Sequence, residues 1–310
     1  MSNLQKIEFE NFTWISVANP SEAELTKLAQ TYKFHPLDLA DCLSTNQRTK
    51  IDIYPRYSFL VFRVPVYNRK TREILPAEMN IFISKNFLIT IHHNDLPIFS
   101  DFFGLMQLSN DSREKYNEKS PEKILYEIIN KLFLYCFPMI DHLNIDCNNI
   151  EKAIFSGKEK EMVSEILIIR RNITDFRKIM QVHKTVLKKA IYNFKESPLF
   201  VMKKTDIYFE SLLDSAKEIW DTLENLKETI EALQQTNESQ ISFKLSDTMR
   251  ILTIISVFTF PLTLIAAIFG MNTIASMPLV NNQLGFWYII GLMALIWLIM
   301  AAVFKKKDWL

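Results

Sequence analysis

Residues 251–304 have the sequence ILTIISVFTFPLTLIAAIFGMNTIASMPLVNNQLGFWYIIGLMALIWLIMAAVF, fifty-four residues without an Asp, Glu, Lys, Arg or His. The run is interrupted once, at Gly270-Met271-Asn272 and the polar residues that follow. Its two apolar parts, Ile251–Phe269 and Phe286–Phe304, have nineteen residues each. A helix of that length rises about 28 Å, which is enough to cross the hydrocarbon core of a bilayer. The sequence therefore predicts a C-terminal helical hairpin in a membrane.

The charges beside the hairpin predict its orientation. Lys244 and Arg250 precede the first span, Lys305–Lys307 follow the second, and residues 273–285 carry no charge. Because loops rich in Lys and Arg stay in the cytoplasm, we expect both termini inside and the short loop outside. Residues 1–19 are polar and include acidic side chains, so we expect no signal peptide. The predicted location is the inner or plasma membrane, with two passes.

The composition excludes several classes of function. The formal net charge is +1 over 310 residues, which gives no reason to expect nucleic-acid binding. Cys42, Cys136 and Cys147 are widely spaced and lack a metal-ligand pattern, so we expect them to be reduced and buried. No glycine-rich phosphate loop, nucleophile elbow or pair of catalytic carboxylates is present, and we therefore expect neither an enzyme nor a prosthetic group.

Residues 1–119 combine helix and strand signals and are predicted to form a cytoplasmic α/β lobe. Ser21, with Glu24 three residues later, is a capping box that predicts a helix over 21–32. The runs rich in Ile, Val and Phe predict strands at 12–17, 58–66, 78–84 and 87–92. Lys85-Asn86 between the last two runs predicts a hairpin turn.

Residues 120–250 are predicted to be helical, because apolar residues recur at helical spacing, as at Ile124, Ile128 and Leu132. No glycine occurs between Gly157 and Gly270. A helix beginning near residue 205 could therefore run uninterrupted into the membrane, with a length of about 100 Å.

This long helix carries an apolar stripe, which predicts that it packs against other helices. The stripe consists of Ile207, Leu212, Ile219, Leu226, Leu233 and Ile241. Two partners fit. Copies of the same helix around a symmetry axis would cover it along its length, and the helices of residues 120–189 in the same chain would also cover it.

The whole chain resembles the CorA-type divalent metal ion transporters. Gly270-Met271-Asn272 is similar to the Gly-Met-Asn signature of that family, and it stands at the outer end of the first of two C-terminal spans. Pro261-Leu262-Thr263 before it and the basic tail from Lys305 also fit. Shorter similarities lie upstream, at Trp14-Ile15, His35-Pro36-Leu37, Lys85-Asn86-Phe87-Leu88-Ile89-Thr90 and Leu167-Ile168-Ile169-Arg170-Arg171.

The resemblance implies an α/β lobe, a funnel of long helices and two transmembrane helices, assembled as a homopentameric channel. The first span of each copy would line the pore. The expected divisions are the lobe at 1–119, the helical region at 120–250, the first span at 251–270, the external loop at 271–285, the second span at 286–304 and the basic tail at 305–310.

The resemblance also implies a selectivity filter formed by Gly270, Met271 and Asn272. A ring of Asn272 amide oxygens would accept hydrogen bonds from the waters bound to Mg²⁺, a hard cation that loses its water reluctantly. The positions that match the pore face of the family are Thr263, Phe260, Ser256, Leu252, Met249 and Ser246.

Four of the pore positions have an alternative interpretation. Leu252 and Met249 would form apolar constrictions, although such residues in a membrane helix also commonly face lipid. Thr263 could line the pore or bond its own backbone and relieve the defect at Pro261. Phe260 either narrows the path or turns aside toward a neighbouring helix.

Asp41 matches an acidic residue at which the family is held to bind a regulatory Mg²⁺ between cytoplasmic domains. Its partner position corresponds to Gln235, which brings no charge. The alternative for Asp41 is a solvated carboxylate near a helix end.

The predicted function is uptake of hydrated Mg²⁺, and of Co²⁺ or Ni²⁺, through a channel driven by the membrane potential. A doubly charged ion gains about 4.6 kcal/mol on crossing 100 mV. Met277-Pro278 is followed by Leu279 rather than the acidic residue of many relatives, which leaves the preferred metal open. The alternatives are a Zn²⁺ transporter coupled to protons and a membrane-anchored scaffold that does not conduct.

Overall fold

The computed structural model describes residues 3–44, 47–93, 96–108, 120–200, 206–271, 278 and 283–307. The chain divides into two compact units, Met1–Gln235 and Thr236–Leu310. The strands are β1 (Leu4–Glu8), β2 (Thr13–Ala18), β3 (Lys50–Ile53), β4 (Ser58–Asn68), β5 (Glu73–Ser84) and β6 (Phe87–His92). The helices are α1 (Glu22–Tyr32), α2 (Pro36–Leu43), α3 (Pro97–Leu108), α4 (Pro121–Phe155), α5 (Glu159–Met180), α6 (His183–Glu196), α7 (Asp206–Phe269) and α8 (Gly285–Lys306).

The strands of the first unit form one mixed sheet in the order β1-β2-β6-β5-β4-β3. Among the strands that the structure describes, β2 and β6 run parallel and the other neighbouring pairs are antiparallel. Lys85 and Asn86 form the turn between β5 and β6, as the sequence predicts. The sheet is a scaffold with helices on both faces.

Alternate residues along each strand point to opposite faces of the sheet and enter two separate cores. On β4, Leu60 and Phe62 belong to the larger core with residues of α3 to α7. Phe59 and Val61 belong to the smaller core with residues of α1 and α2. The first unit is therefore a three-layer α/β lobe extended by long helices, which confirms the predicted fold class of the N-terminal part.

The local predictions succeed where the signals are strong. Ser21 accepts a hydrogen bond from the Glu24 amide, and Glu24 reaches back to the Ser21 amide. The sequence signals do not predict β1, β3 and α3. β1 is a polar edge strand whose side chains are mostly exposed, and α3 is a short run of mainly apolar residues, in which periodicity does not separate helix from strand.

The long helix α7 starts at Asp206 and continues through both units to Phe269. In the first unit its apolar stripe is covered within the chain. Leu212, Ile219, Leu226 and Leu233 are all buried in the larger core, and the Phe209 ring lies 5.7 Å from that of Phe194 on α6. A second copy of the chain is therefore not needed to bury this stripe. The prediction of an oligomer has to be supported by other features. Within the first unit, Ile207 is the exception, since it is 78% exposed. Ile241, the last residue of the stripe, lies in the second unit and is half-buried.

The second unit contains the C-terminal part of α7 and all of α8. Both helices are long and apolar enough, by length and composition, to cross a membrane. This confirms the predicted pair of C-terminal apolar helices.

Candidate functional site

One side of α7 in the second unit packs against α8. The Phe258 ring lies 5.9 Å from the Trp297 ring and 5.4 Å from the Phe304 ring of α8. The half-covered residues of α7 between 251 and 269 are Ile254, Phe258, Pro261, Leu262, Ile265 and Phe269. They recur at helical spacing, so they form one face. This face of α7 is already used within the chain.

The residues predicted to line a pore lie on the other side of α7. We call Ser246, Met249, Leu252, Ser256, Phe260 and Thr263 the open face of α7. With about 100° between successive residues, the centre of the open face is about 180° around the helix from the face packed on α8. All of these residues are exposed. The chain leaves the predicted positions uncovered and uses the opposite side of the helix for its own packing.

Phe260 is the most exposed large side chain of this segment, at 76%. From the sequence, its ring either narrows the path or turns aside toward a neighbouring helix. Its ring does not turn toward α8, because the residues that cover α8 are on the opposite side of α7.

Two hydroxyl groups on the open face bond to the helix itself. Thr263 Oγ1 donates to the Thr259 carbonyl at 2.9 Å, and Ser256 Oγ donates to the Leu252 carbonyl at 2.8 Å. Pro261 has no N–H, so the carbonyl deprived of its helical donor is that of Val257. Thr263 therefore makes a local bond, but it does not compensate for the proline.

The helix ends at the glycine of the tripeptide. The Gly270 amide donates to the Ala266 carbonyl at 2.9 Å, and the Met271 amide donates to the Ile268 carbonyl at 3.3 Å. A Cβ atom at position 270 would lie 3.1 Å from the Ala266 oxygen, closer than ordinary packing allows. Glycine thus permits the tight end of α7, where the last carbonyls carry partial negative charge. Asn272 lies outside the described residues.

Asp41 lies on α2 beside a lysine. Lys50 Nζ is 2.7 Å from the Asp41 carboxylate and 2.6 Å from that of Asp52. Carboxylate oxygens of Asp38, Asp41 and Asp52 lie within 4.8 Å of one another, a group that could hold a cation. Burial lowers the pKa of Lys50, but its hydrogen bonds to the two aspartates outweigh burial and raise that pKa above its ordinary value. The lysine is therefore charged and bridges two of the three carboxylates that could hold a cation.

The sequence singles out neither Asp38 nor Asp52, and Asp38 is the buried member of this group. It is 1% exposed, and its carboxylate accepts hydrogen bonds from Tyr57 Oη at 2.6 Å and Tyr54 Oη at 2.9 Å. Burial raises the pKa of Asp38, and the tyrosine hydrogen bonds act against that rise. No signal in the sequence indicates that Asp38 on α2 contacts Tyr54 and Tyr57 in the β3–β4 turn. Gln235 lies in α7, as the last residue of the first unit.

Three comparisons with known proteins agree with one another. The family model described as "CorA-like Mg2+ transporter protein" matches residues 9–306. The cobalt/magnesium transport protein CorA of Thermotoga maritima is 26% identical over 299 residues, which covers 96% of this chain and 83% of that protein. The protein of the same name from Methanocaldococcus jannaschii is 24% identical over 310 residues, covering 99% and 95%.

The fold is also similar to solved structures. The complete structure of the CorA magnesium transporter from M. jannaschii superposes with a TM-score of 0.84 at 23% identity, covering 99% of this chain and 95% of that one. The full-length CmaX protein gives a TM-score of 0.75 at 16% identity, covering 98% and 90%. At 23% and 16% identity, the similarity to these structures establishes the fold alone.

Proposed function

The chain belongs to the family of CorA-like Mg²⁺ transporter proteins, and we propose that it forms a homopentameric channel for uptake of hydrated Mg²⁺, and of Co²⁺ or Ni²⁺, driven by the membrane potential. The channel lies in the inner or plasma membrane with both termini in the cytoplasm. The basic residues Lys244 and Arg250 before the first span and Lys305–Lys307 after the second support this orientation.

The open face of α7 carries this proposal. The hydroxyl oxygens of Ser256 and Thr263 on this face are back-bonded to the helix and keep lone pairs that water or a polar neighbour can use and lipid chains cannot. α8 cannot be that neighbour, since it packs on the opposite side. Copies of α7 arranged around an axis would place their open faces around a central path, as the family membership also suggests.

The hydrated metal ion would be selected at the C-terminal end of α7. Asn272 follows directly on the helix terminus at Gly270 and Met271. Five carboxamide oxygens can accept hydrogen bonds from the waters of a hydrated Mg²⁺, so that the ion is recognised by the size and charge of its complex. The C-terminal carbonyls of α7 add negative potential at the same place.

Two further elements would control the flow. Leu252 and Met249 on the open face are 58% and 55% exposed and would form apolar constrictions that stop ions by dewetting when narrow. Asp41 would bind a regulatory Mg²⁺, although Lys50 would first have to leave the carboxylate.

Ion flux into liposomes tests the proposed function. Purified protein should pass Mg²⁺ to an internal dye, and Asn272→Ala should reduce the initial rate by about tenfold or more, because the amide hydrogen bonds to the hydrated ion are lost. Asn282→Ala, which removes an amide from the same loop, should retain the wild-type rate. A protein that passes no divalent cation would be a scaffold. Zn²⁺ flux that acidifies the lumen and ignores Mg²⁺ would indicate the proton-coupled alternative.

A further inference from the structure

The side-chain hydroxyls of the first span share one hydrogen-bonding state. Its serine and threonine residues between 251 and 269 are Thr253, Ser256, Thr259 and Thr263. Each donates to a carbonyl four residues earlier, over distances of 2.8, 2.8, 2.9 and 2.9 Å respectively. A carbonyl oxygen can only accept, so the hydroxyl proton is the donor in every case.

This bond fixes what the hydroxyl offers to its surroundings. A hydroxyl has one proton and two lone pairs. When the proton is directed into the helix, the outward part of the oxygen presents lone pairs alone. The four groups are therefore acceptors, and not donors, toward anything that approaches α7.

All four groups lie in the half of α7 that faces away from α8. Each is exposed in the chain. With about 100° per residue, each lies more than about 100° around the helix from the centre of the face packed on α8. Ser256 and Thr263 belong to the open face, and Thr253 and Thr259 flank it on either side.

An acceptor surface discriminates between hydrated ions by the sign of their charge. Water binds a cation through oxygen and points its hydrogens outward, so a hydrated cation presents donors. The waters around an anion point their hydrogens inward and present oxygens. Residues 251–304 contain no charged side chain that could make this distinction.

We propose that the back-bonded hydroxyls of Thr253, Ser256, Thr259 and Thr263 form an acceptor-only lining that admits hydrated divalent cations and rejects hydrated anions. This proposal rests on the proposed function, since it requires α7 to line the ion path. It assigns a role to Thr253 and Thr259, which flank the open face, and it makes the direction of the hydroxyl bond the cause of charge selection.

The test replaces the two flanking threonines by an isosteric residue. In planar bilayers, the reversal potential under a MgCl₂ gradient gives the ratio of Mg²⁺ to Cl⁻ permeability. Thr253→Val together with Thr259→Val removes two acceptors from each chain and keeps the shape of the side chains. We expect the Mg²⁺ to Cl⁻ permeability ratio to fall by about tenfold, the effect of weakening hydrogen bonds to a charged partner.

Two control variants separate the hydroxyl from other causes. Thr253→Ser with Thr259→Ser keeps the hydroxyls and should retain the wild-type ratio. Thr248→Val removes the same kind of back-bond, which joins Thr248 to the Lys244 carbonyl at 2.9 Å, but before the uncharged span begins, and should also retain it. A serine pair as defective as the valine pair would show that shape matters and would overturn the proposal.

The outcomes also distinguish this proposal from the proposed function. If the wild-type protein passes no Mg²⁺ and Asn272→Ala changes nothing, the function itself fails and the lining fails with it. If the wild type passes Mg²⁺ and Asn272→Ala reduces the flux, but the valine pair keeps the wild-type permeability ratio, the acceptor lining alone is wrong.

Discussion

At the scale of single residues, Lys50 sets the condition under which Asp41 could bind a metal. Its ammonium group lies between Asp41 and Asp52 and is stabilised in its charged form. If Asp41 binds a regulatory Mg²⁺, Lys50→Gln should favour that binding, because two carboxylates are left without their counter-charge. We expect the flux of this variant to be inhibited at a lower internal Mg²⁺ concentration than that of the wild type, by about tenfold.

The control for this prediction is Lys6→Gln, which breaks an exposed ion pair to Glu8 at 2.6 Å in the same lobe. Its inhibition by internal Mg²⁺ should match the wild type, since exposed pairs contribute little. Asp41→Asn combined with Lys50→Gln should abolish the gain. Equal inhibition curves for all the variants would remove Asp41 from the regulatory role.

At the scale of secondary-structure elements, α5 holds the β4–β5 hairpin through one buried side chain. Asn172 is 2% exposed. Its Oδ1 accepts from the Ile74 amide at 3.1 Å, and its Nδ2 donates to the Arg72 carbonyl at 3.0 Å. The backbone of Arg72 is left-handed, with φ of 57°. The hairpin end therefore depends on α5 for the partners of its backbone groups.

Asn172→Ala should lower the unfolding free energy by about 2 kcal/mol, because it leaves a buried amide and carbonyl unpaired. Thermal unfolding of the full chain in detergent would measure the loss as a lower Tm. Lys178→Ala on the same helix breaks only an exposed pair to Asp175 and should change the free energy by less than about 0.5 kcal/mol. A similar Tm for both variants would show that the two Asn172 hydrogen bonds do not stabilise the lobe.

At the scale of the whole molecule, the open face of α7 predicts assembly. A cysteine at Ser256 should form disulfide-linked dimers on oxidation in the membrane, because open faces from neighbouring copies meet around the axis. A cysteine at Ile254, on the face packed against α8, should not. Cys42, Cys136 and Cys147 are buried and should give little background. The native mass in detergent should approach five times the 36.4 kDa chain. A monomeric mass, or equal cross-linking at both positions, would contradict the assembly.

The amino-acid sequence by itself determined the features that depend on local pattern. The uncharged residues 251–304 predict two spans because burial in lipid excludes charge. The capping box at Ser21 and the strand at 87–92 follow from short-range signals. Gly270 marks the end of the first span, because the apolar run is interrupted there by Gly270-Met271-Asn272 and the polar residues that follow.

Only the tertiary structure decided what each helix face contacts. The apolar stripe on α7 could pack against a second copy of the chain or against helices of the same chain. The structure shows that the stripe residues of the first unit pack in one core with residues of α4 to α6. The contact of Phe258 with α8 identifies the covered face and thereby the open one. The group around Asp38 joins α2 to the β3–β4 turn. Such contacts link residues far apart in the chain, and periodicity, which reports only on neighbours along one element, carries no information about them.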